Sequence, residues 1–247
     1  MGKTILFFIS VLILVPVTAY SSSIYTQTPQ GDYSNNVLYG SGWRVFMPMM
    51  TDSHSIEQGD DFADLSLLLN FDAVWVDQEL NNSLSSSEIS SLQSYISSGH
   101  KAVLIGENSS WSSWNQSIID VVGGSHQDTV STAVGSPISD NPLTDGVNRV
   151  QNVYGSIILD STGDPDILFS NNFAAVYSVG LGEALVILDS NWLDHRFIYG
   201  YDNAVFAENI VTWLGETIEP VPEPATMLLL GSGLAGIAGL RKRMKKK

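Results

Sequence analysis

Apolar positions along this chain switch between two rhythms. Short strand-like runs occur at 37–40, 71–77 and 101–106. Between them, apolar residues fall at helical spacing. Phe62, Leu65, Leu68 and Leu69 predict a helix over 56–69, and Ile89, Leu92, Tyr95 and Ile96 predict a second one after Leu84. The second helix has explicit start signals: Ser85 as N-cap, Glu88 to close a capping box, and a Leu84–Ile89 hydrophobic staple. Gly99 suits the position just past its end. The run 101–106 is almost continuously apolar, as expected for a strand covered on both faces. A helix over about 113–122 ends at Gly123 and Gly124. Alternating strands and helices predict a parallel sheet with right-handed crossovers.

The rhythm then changes. Residues 125–150 are polar, rich in Ser, Asp, Gly and Pro, and without a period, which predicts a long loop. Strand-like runs follow at 153–159, 167–170, 173–179 and 183–189. Gly180, Leu181 and Gly182 form a short turn, so the last two strands should pair as an antiparallel hairpin. A closing helix is expected over 204–214, with Val205, Phe206, Ile210, Val211, Trp213 and Leu214 apolar. Residues 20–215 thus read as one domain, without an internal repeat.

Both ends of the chain carry address signals. Lys3, the apolar run 5–15 and Val17-Thr18-Ala19 make up a secretory signal peptide, cut after Ala19. At the other end, 216–224 is a Pro-rich linker. Residues 225–240 are uncharged and mostly apolar, and the basic tail 241–247 follows, beginning Arg241, Lys242, Arg243. This pattern predicts a transmembrane helix with a cytoplasmic tail and the body outside. Pro222, Glu223 and Pro224, the apolar stretch and the basic cluster, in that order, resemble the PEP-CTERM sorting signal of Gram-negative bacteria. The resemblance implies an exosortase-type processing partner, the inner membrane, and association with extracellular polysaccharide at the cell surface or in the matrix.

Charge sharpens this picture. Residues 20–240 hold four basic residues (Arg44, Lys101, Arg149, Arg196) and all 26 acidic ones, a net of −22. Such a body repels nucleic acid, so no nucleic-acid partner is expected. The absence of cysteine from the chain excludes disulfides and thiolate chemistry.

Ser94-Tyr-Ile-Ser-Ser-Gly-His-Lys-Ala-Val-Leu-Ile-Gly-Glu-Asn108, together with Glu183-Ala-Leu-Val-Ile-Leu-Asp-Ser-Asn-Trp192 and the helix after Asn203, resembles class I glutamine-amidotransferase-like domains. The nearest likeness is to their non-catalytic branch in gliding-motility ABC-transporter accessory proteins. It implies a three-layer flavodoxin-like α/β sheet with helices on both faces. Catalytic members place a cysteine on the turn corresponding to Gly106-Glu107-Asn108, so amidotransferase activity is not expected here.

Open α/β sheets bind ligands beyond the carboxyl ends of their strands. Glu107, Asn108 and Trp111 follow one strand; Asp189, Asn191 and Trp192 follow another. Glu107 with Asp189 has the composition of an acid–base pair for glycoside hydrolysis. The aromatic and amide side chains, with Trp43 and Trp114, instead suit a glycan- or small-ligand-binding crevice. A Ser190–Asp194–His195 triad is disfavoured by its sequence proximity and the lack of a nucleophile elbow. No metal or cofactor is expected. His54, His100, His126 and His195 lack paired spacing, and the acidic segment from Asp160 to Asp166 lacks an EF-hand pattern. The leading expectation is a non-enzymatic envelope or matrix protein, ahead of a binding module and a carboxylate hydrolase.

Overall fold

The structure, a computed structural model, describes residues 22–27, 42–59, 62–77 and 83–216. In chain order its elements are β1 (Ser23–Gln27), α1 (Phe46–Ser53), β2 (Ser55–Gly59), α2 (Leu65–Leu68), β3 (Ala73–Val76), α3 (Ser86–Ser97), β4 (Lys101–Ile105) and α4 (Ser112–Val122). There follow β5 (Ser125–Gly135), β6 (Val150–Leu159), β7 (Asp166–Ile167), β8 (Ala174–Val179), β9 (Gly182–Ile187) and α5 (Asn203–Gly215). Seven strands form one sheet in the order β2-β1-β3-β4-β9-β8-β7, and β5 with β6 makes a separate antiparallel pair. Strands β2, β1, β3, β4 and β9 run parallel, β8 runs antiparallel to β9, and β7 runs antiparallel to β8.

The two-residue period of each strand divides the core. Ala73, Trp75, Val103, Ile105, Leu185 and Ile187 point into one apolar cluster, which α1 and α5 cover. Val74, Val76, Ala102, Leu104, Ala184 and Val186 point into the other, which α2, α3 and α4 cover. All twelve are fully buried. Each large one contributes about 1.5–3 kcal/mol relative to exposure, so the near-continuous apolar character of β3, β4 and β9 follows from burial on both faces.

The capping box of α3 is present: Ser85 Oγ accepts the Glu88 N–H and Glu88 returns to the Ser85 N–H at 2.7 Å. α4 ends at Gly123 in the left-handed region, φ 65°. At the end of α5, the buried Lys101 ammonium donates to the Trp213 and Glu216 carbonyls at 2.5 and 2.8 Å, capping a helix end with a cation.

Several expectations need correction. The fold is α/β with helices on both faces, but its sheet is a mixed seven-stranded one accompanied by a separate antiparallel hairpin, not the expected flavodoxin-like sheet. The supposed loop 125–150 contains the 11-residue β5. Its pattern escaped notice because most of β5 is partly exposed, so no apolar run marks it. The helix expected over 56–69 divides into β2, paired in parallel with β1, and the short α2, capped by the Asp64 carboxylate. β1 itself lay unnoticed in a polar-looking stretch, although Ile24, Tyr25, Thr26 and Gln27 are buried. The transmembrane helix and the inner-membrane anchoring read from it are also corrected. Among the described residues no helix is long and apolar enough to cross a membrane. Residues 225–240 lie outside the described residues, as do the signal peptide, the strand expected at 37–40, the sorting motif and the tail.

The β5–β6 hairpin lies across the carboxyl edge of the sheet. The Ser156 N–H donates to the Leu188 carbonyl at 2.9 Å and the Ile158 N–H to the Asn172 carbonyl at 2.7 Å. Gly155 permits this approach: a Cβ there would lie 2.5 Å from the Leu188 oxygen and 2.7 Å from Asp189 Cβ. Gly155→Ala is therefore expected to lower unfolding free energy by about 1–3 kcal/mol. Urea denaturation measures it, and an unchanged midpoint would mean the hairpin is not tightly seated.

Candidate functional site

β4 and β9 are parallel neighbours in register, Ile105 opposite Ile187. The segments leaving them therefore emerge at the same edge. Gly106 continues the pairing, its N–H donating to the Ile187 carbonyl at 2.7 Å. A side chain at Gly106 would meet Leu188 Cδ2 at 2.6 Å and Asn115 Oδ1 at 2.7 Å, so the chain passes where only glycine fits. Asn115, buried on α4, fixes the next residue from both sides. Its Oδ1 accepts the Glu107 N–H at 2.9 Å and its amide donates to the Glu107 carbonyl at 2.8 Å.

The Glu107 side chain is 3% exposed. Oε1 accepts the Asn108 N–H at 3.0 Å and the Asn108 amide at 2.9 Å. Oε2 accepts Ser190 Oγ at 2.5 Å and the Ser190 N–H at 3.3 Å. The Asn191 amide lies 3.1 Å from both oxygens. Asp189 is 0% exposed: Oδ1 accepts the Asn191 N–H at 2.8 Å and Oδ2 accepts the Val153 N–H of β6. Burial raises the Glu107 pKa, and the surrounding donors oppose it. Burial, reinforced by the Glu107 charge, pushes the Asp189 carboxyl well above its ordinary range. Two carboxyl groups whose environments favour the neutral form share one dry edge.

Glu107, Asn108, Asp189 and Asn191 are thus brought together. The tryptophans are not arranged as a platform. Trp192 is 0% exposed, its ring 4.9 Å from Phe206 and 6.1 Å from Phe173 in the core. Trp111 is half-buried against the other core cluster. Trp43 and Trp114 are buried too, their indole N–H groups donating to the Ser190 and Ile105 carbonyls at 3.0 and 2.8 Å. Asp194 holds the Arg196 guanidinium at 2.8 and 3.0 Å and lies 3.3 Å from His195 Nδ1, but Ser190 Oγ donates to Glu107, so no Ser–Asp–His relay forms. Among the described residues no group of three or more His, Asp or Glu is placed to hold a metal ion.

Sequence reasoning overlooked a second cluster at this edge. The strand order reverses direction around β1, between β2 and β3. There, Gln27 donates to the Asp77 carbonyl at 2.8 Å, and the Trp75 indole N–H donates to the Asp77 carboxylate. The available signal was a carboxylate closing an apolar strand, the same one that pointed to Glu107 and Asp189. Asn115 and Ser156 also went unnoticed, since a polar residue within a helix or strand looks like a solvated one.

Residues 220–243 match the model of the PEP-CTERM protein-sorting motif. The chain therefore carries this sorting motif, which implies processing by an exosortase-family enzyme. Among curated proteins none matches the chain. Its structure is similar to the mmIFT52 N-terminal domain, with TM-score 0.60 at 12% identity over 81% of this chain and 100% of that one. It is also similar to the cytoplasmic proteins STM3548 and STM1381 of Salmonella typhimurium. Their TM-scores are 0.54 and 0.57 at 9% and 8% identity, over 78% of this chain and 97% and 99% of theirs. At such identities the likeness is one of fold alone.

The raised carboxyl pKa values give a signed prediction. In the unfolded chain both groups ionise near about pH 4. From there up to the raised folded values, the native state keeps protons that the unfolded state has released, so stability falls as pH rises. Asp189→Asn removes one ionisation and the charge beside Glu107. Urea unfolding at pH 4.5, 6 and 7.5 should show a shallower decline in the variant, and equal slopes would contradict the coupling.

Proposed function

We propose that this chain is an exported, exosortase-sorted, non-enzymatic protein released to the cell surface or the exopolysaccharide matrix. The observation that carries the reading is the sorting motif at 220–243, which begins five residues after α5 ends at Gly215. The signal peptide expected at residues 1–19 fits the same route. In this reading residues 20–215 are the cargo and 216–224 the linker into the motif.

Two features support a non-enzymatic cargo. Glu107 and Asp189, the carboxylates best placed for acid–base chemistry, are almost wholly buried and occupied by donors from their own chain. A substrate would have to displace the β5–β6 hairpin to reach them. The amidotransferase-like stretches at 94–108, 183–192 and 203–214 fit a non-catalytic relative, because Glu107 stands at the turn where catalytic members carry cysteine, a residue this chain lacks. The same burial weighs against a glycan or small ligand lodged between Glu107 and Trp192, and against a hydrolase on these carboxylates.

Intact mass after expression in hosts with and without an exosortase tests the proposal. The expected result is loss of residues 1–19 in both hosts and loss of the basic tail only where the exosortase is present. The same C-terminus in both hosts would contradict it.

A further inference from the structure

Four described non-glycine residues have left-handed backbone: Tyr154 (φ 67°), Asp164 (48°), Asn172 (55°) and Tyr201 (53°). Asp and Asn adopt this conformation readily, but for a bulky aromatic residue it is strained. Strain of that kind is usually offset by burial. Here it is not: Tyr154 and Tyr201 are 54% and 51% exposed, and Tyr199, two residues before Tyr201, is 71% exposed. Such strain persists only where the surrounding structure over-determines it, and it clusters at functional sites.

The surround is rigid. Tyr154 is the extra residue of a bulge in β6, where Gly155 faces Ser131 and Val153 faces Thr132, and its N–H donates to Thr132 Oγ1 at 3.1 Å. Bulges re-aim side chains in this way. The loop carrying Tyr199 and Tyr201 is pinned by the fully buried Ile198 and Asn203. The Asn203 amide donates to the Gln151 and Phe197 carbonyls at 3.1 and 3.2 Å, and its oxygen accepts the Gln151 N–H at 2.8 Å. These bonds hold β6 against the loop at Gln151, and Tyr154 of β6 lies within electrostatic reach of Arg196 at the loop's start.

Exposed cations gather there. The Arg149 guanidinium lies 4.8 Å from the Tyr201 ring, and that of Arg196 lies 5.3 Å from the Phe197 ring, next to Asp194. Arg44 is two residues from Gly42, whose carbonyl accepts the His195 N–H at 2.6 Å. With Lys101 buried, these three are the exposed arginines and lysines of the described residues.

We infer that the face formed by Tyr154, Tyr199, Tyr201, Arg149, Gln151 and Arg196 binds a polysaccharide of uncharged sugars. Tyrosine rings offer broad, stiff faces for the C–H surfaces of pyranose rings, at little cost in side-chain entropy. Guanidinium, amide and phenol groups around them satisfy hydroxyls. A polyanion is disfavoured: Asp194 and the Tyr201 ring already engage Arg196 and Arg149, and the body's net −22 repels it. The inference rests on the reading of this chain as a non-enzymatic matrix protein and names what it would hold.

Affinity electrophoresis of the purified full chain tests it, in gels containing galactomannan, mixed-linkage β-glucan, dextran or alginate. Retardation by at least one neutral polymer is expected. Combining Tyr199→Ala with Tyr201→Gly should weaken it by about tenfold or more. Tyr201→Gly alone should leave Tm unchanged or raised, since glycine relieves the left-handed backbone. Retardation by no neutral polymer, by alginate alone, or equally in the double variant would overturn the inference. So would a lowered Tm in Tyr201→Gly with binding intact, which would make that tyrosine structural. Sorting is read from mass in cells and binding from the purified chain, so either can fail without the other.

Discussion

Glu107 and Asp189 put two carboxyl groups almost out of reach of water where β4, β9 and β6 meet. An unpartnered carboxylate could not remain there. What holds the pair is a shell of donors drawn from three chain segments: Asn108 after β4, Ser190 and Asn191 after β9, and Val153 within β6. The shell ties together the exits of the two parallel strands and fixes the hairpin over them. Gly106 and Gly155 are required because no side chain fits where these segments pass. The carboxyl edge of the sheet at β4 and β9 is thereby closed by the protein's own chain.

Closure has consequences for function. An open α/β sheet offers its ligand crevice at this edge, and here the hairpin's backbone occupies it. Chemistry that would be exposed in a crevice is used internally to join elements. What the edge offers to solvent lies further out, where the bulge in β6 and the loop before α5 display three tyrosines beside two arginines. The sorting motif and this face fit together as address and contact surface, neither of which needs a reacting group.

Much of the fold was legible where burial imposes a period. β3, β4, α3, α4, β9 and α5 follow from apolar runs, the Ser85–Glu88 capping box and helical spacing. β5 was not legible, because a strand that stands partly clear of the core carries no apolar signature. β1 and β2 were hidden by polar residues whose pairing partners are distant in sequence. Glu107, Asn108, Asp189 and Asn191 were legible as a group because parallel strands deliver their exits to one edge. Their burial was not, since it depends on a hairpin whose first strand read as a loop. Trp192 looked available for stacking because its sequence neighbours are polar, but a 3-10 turn at Asn191–Leu193 directs it into the core. Strain at Tyr154 and Tyr201 leaves no mark in sequence at all.

Native-state hydrogen exchange at the Val153 and Ser156 amides tests the closed edge most directly. If the hairpin is an integral cover, both should be protected to the same free energy as Val103 and Leu185 in the central strands. Exchange at Val153 and Ser156 orders of magnitude faster, with β4 and β9 still protected, would mean the hairpin lifts independently. The carboxyl pair would then lie beneath a lid, and the account of a sealed edge would fail.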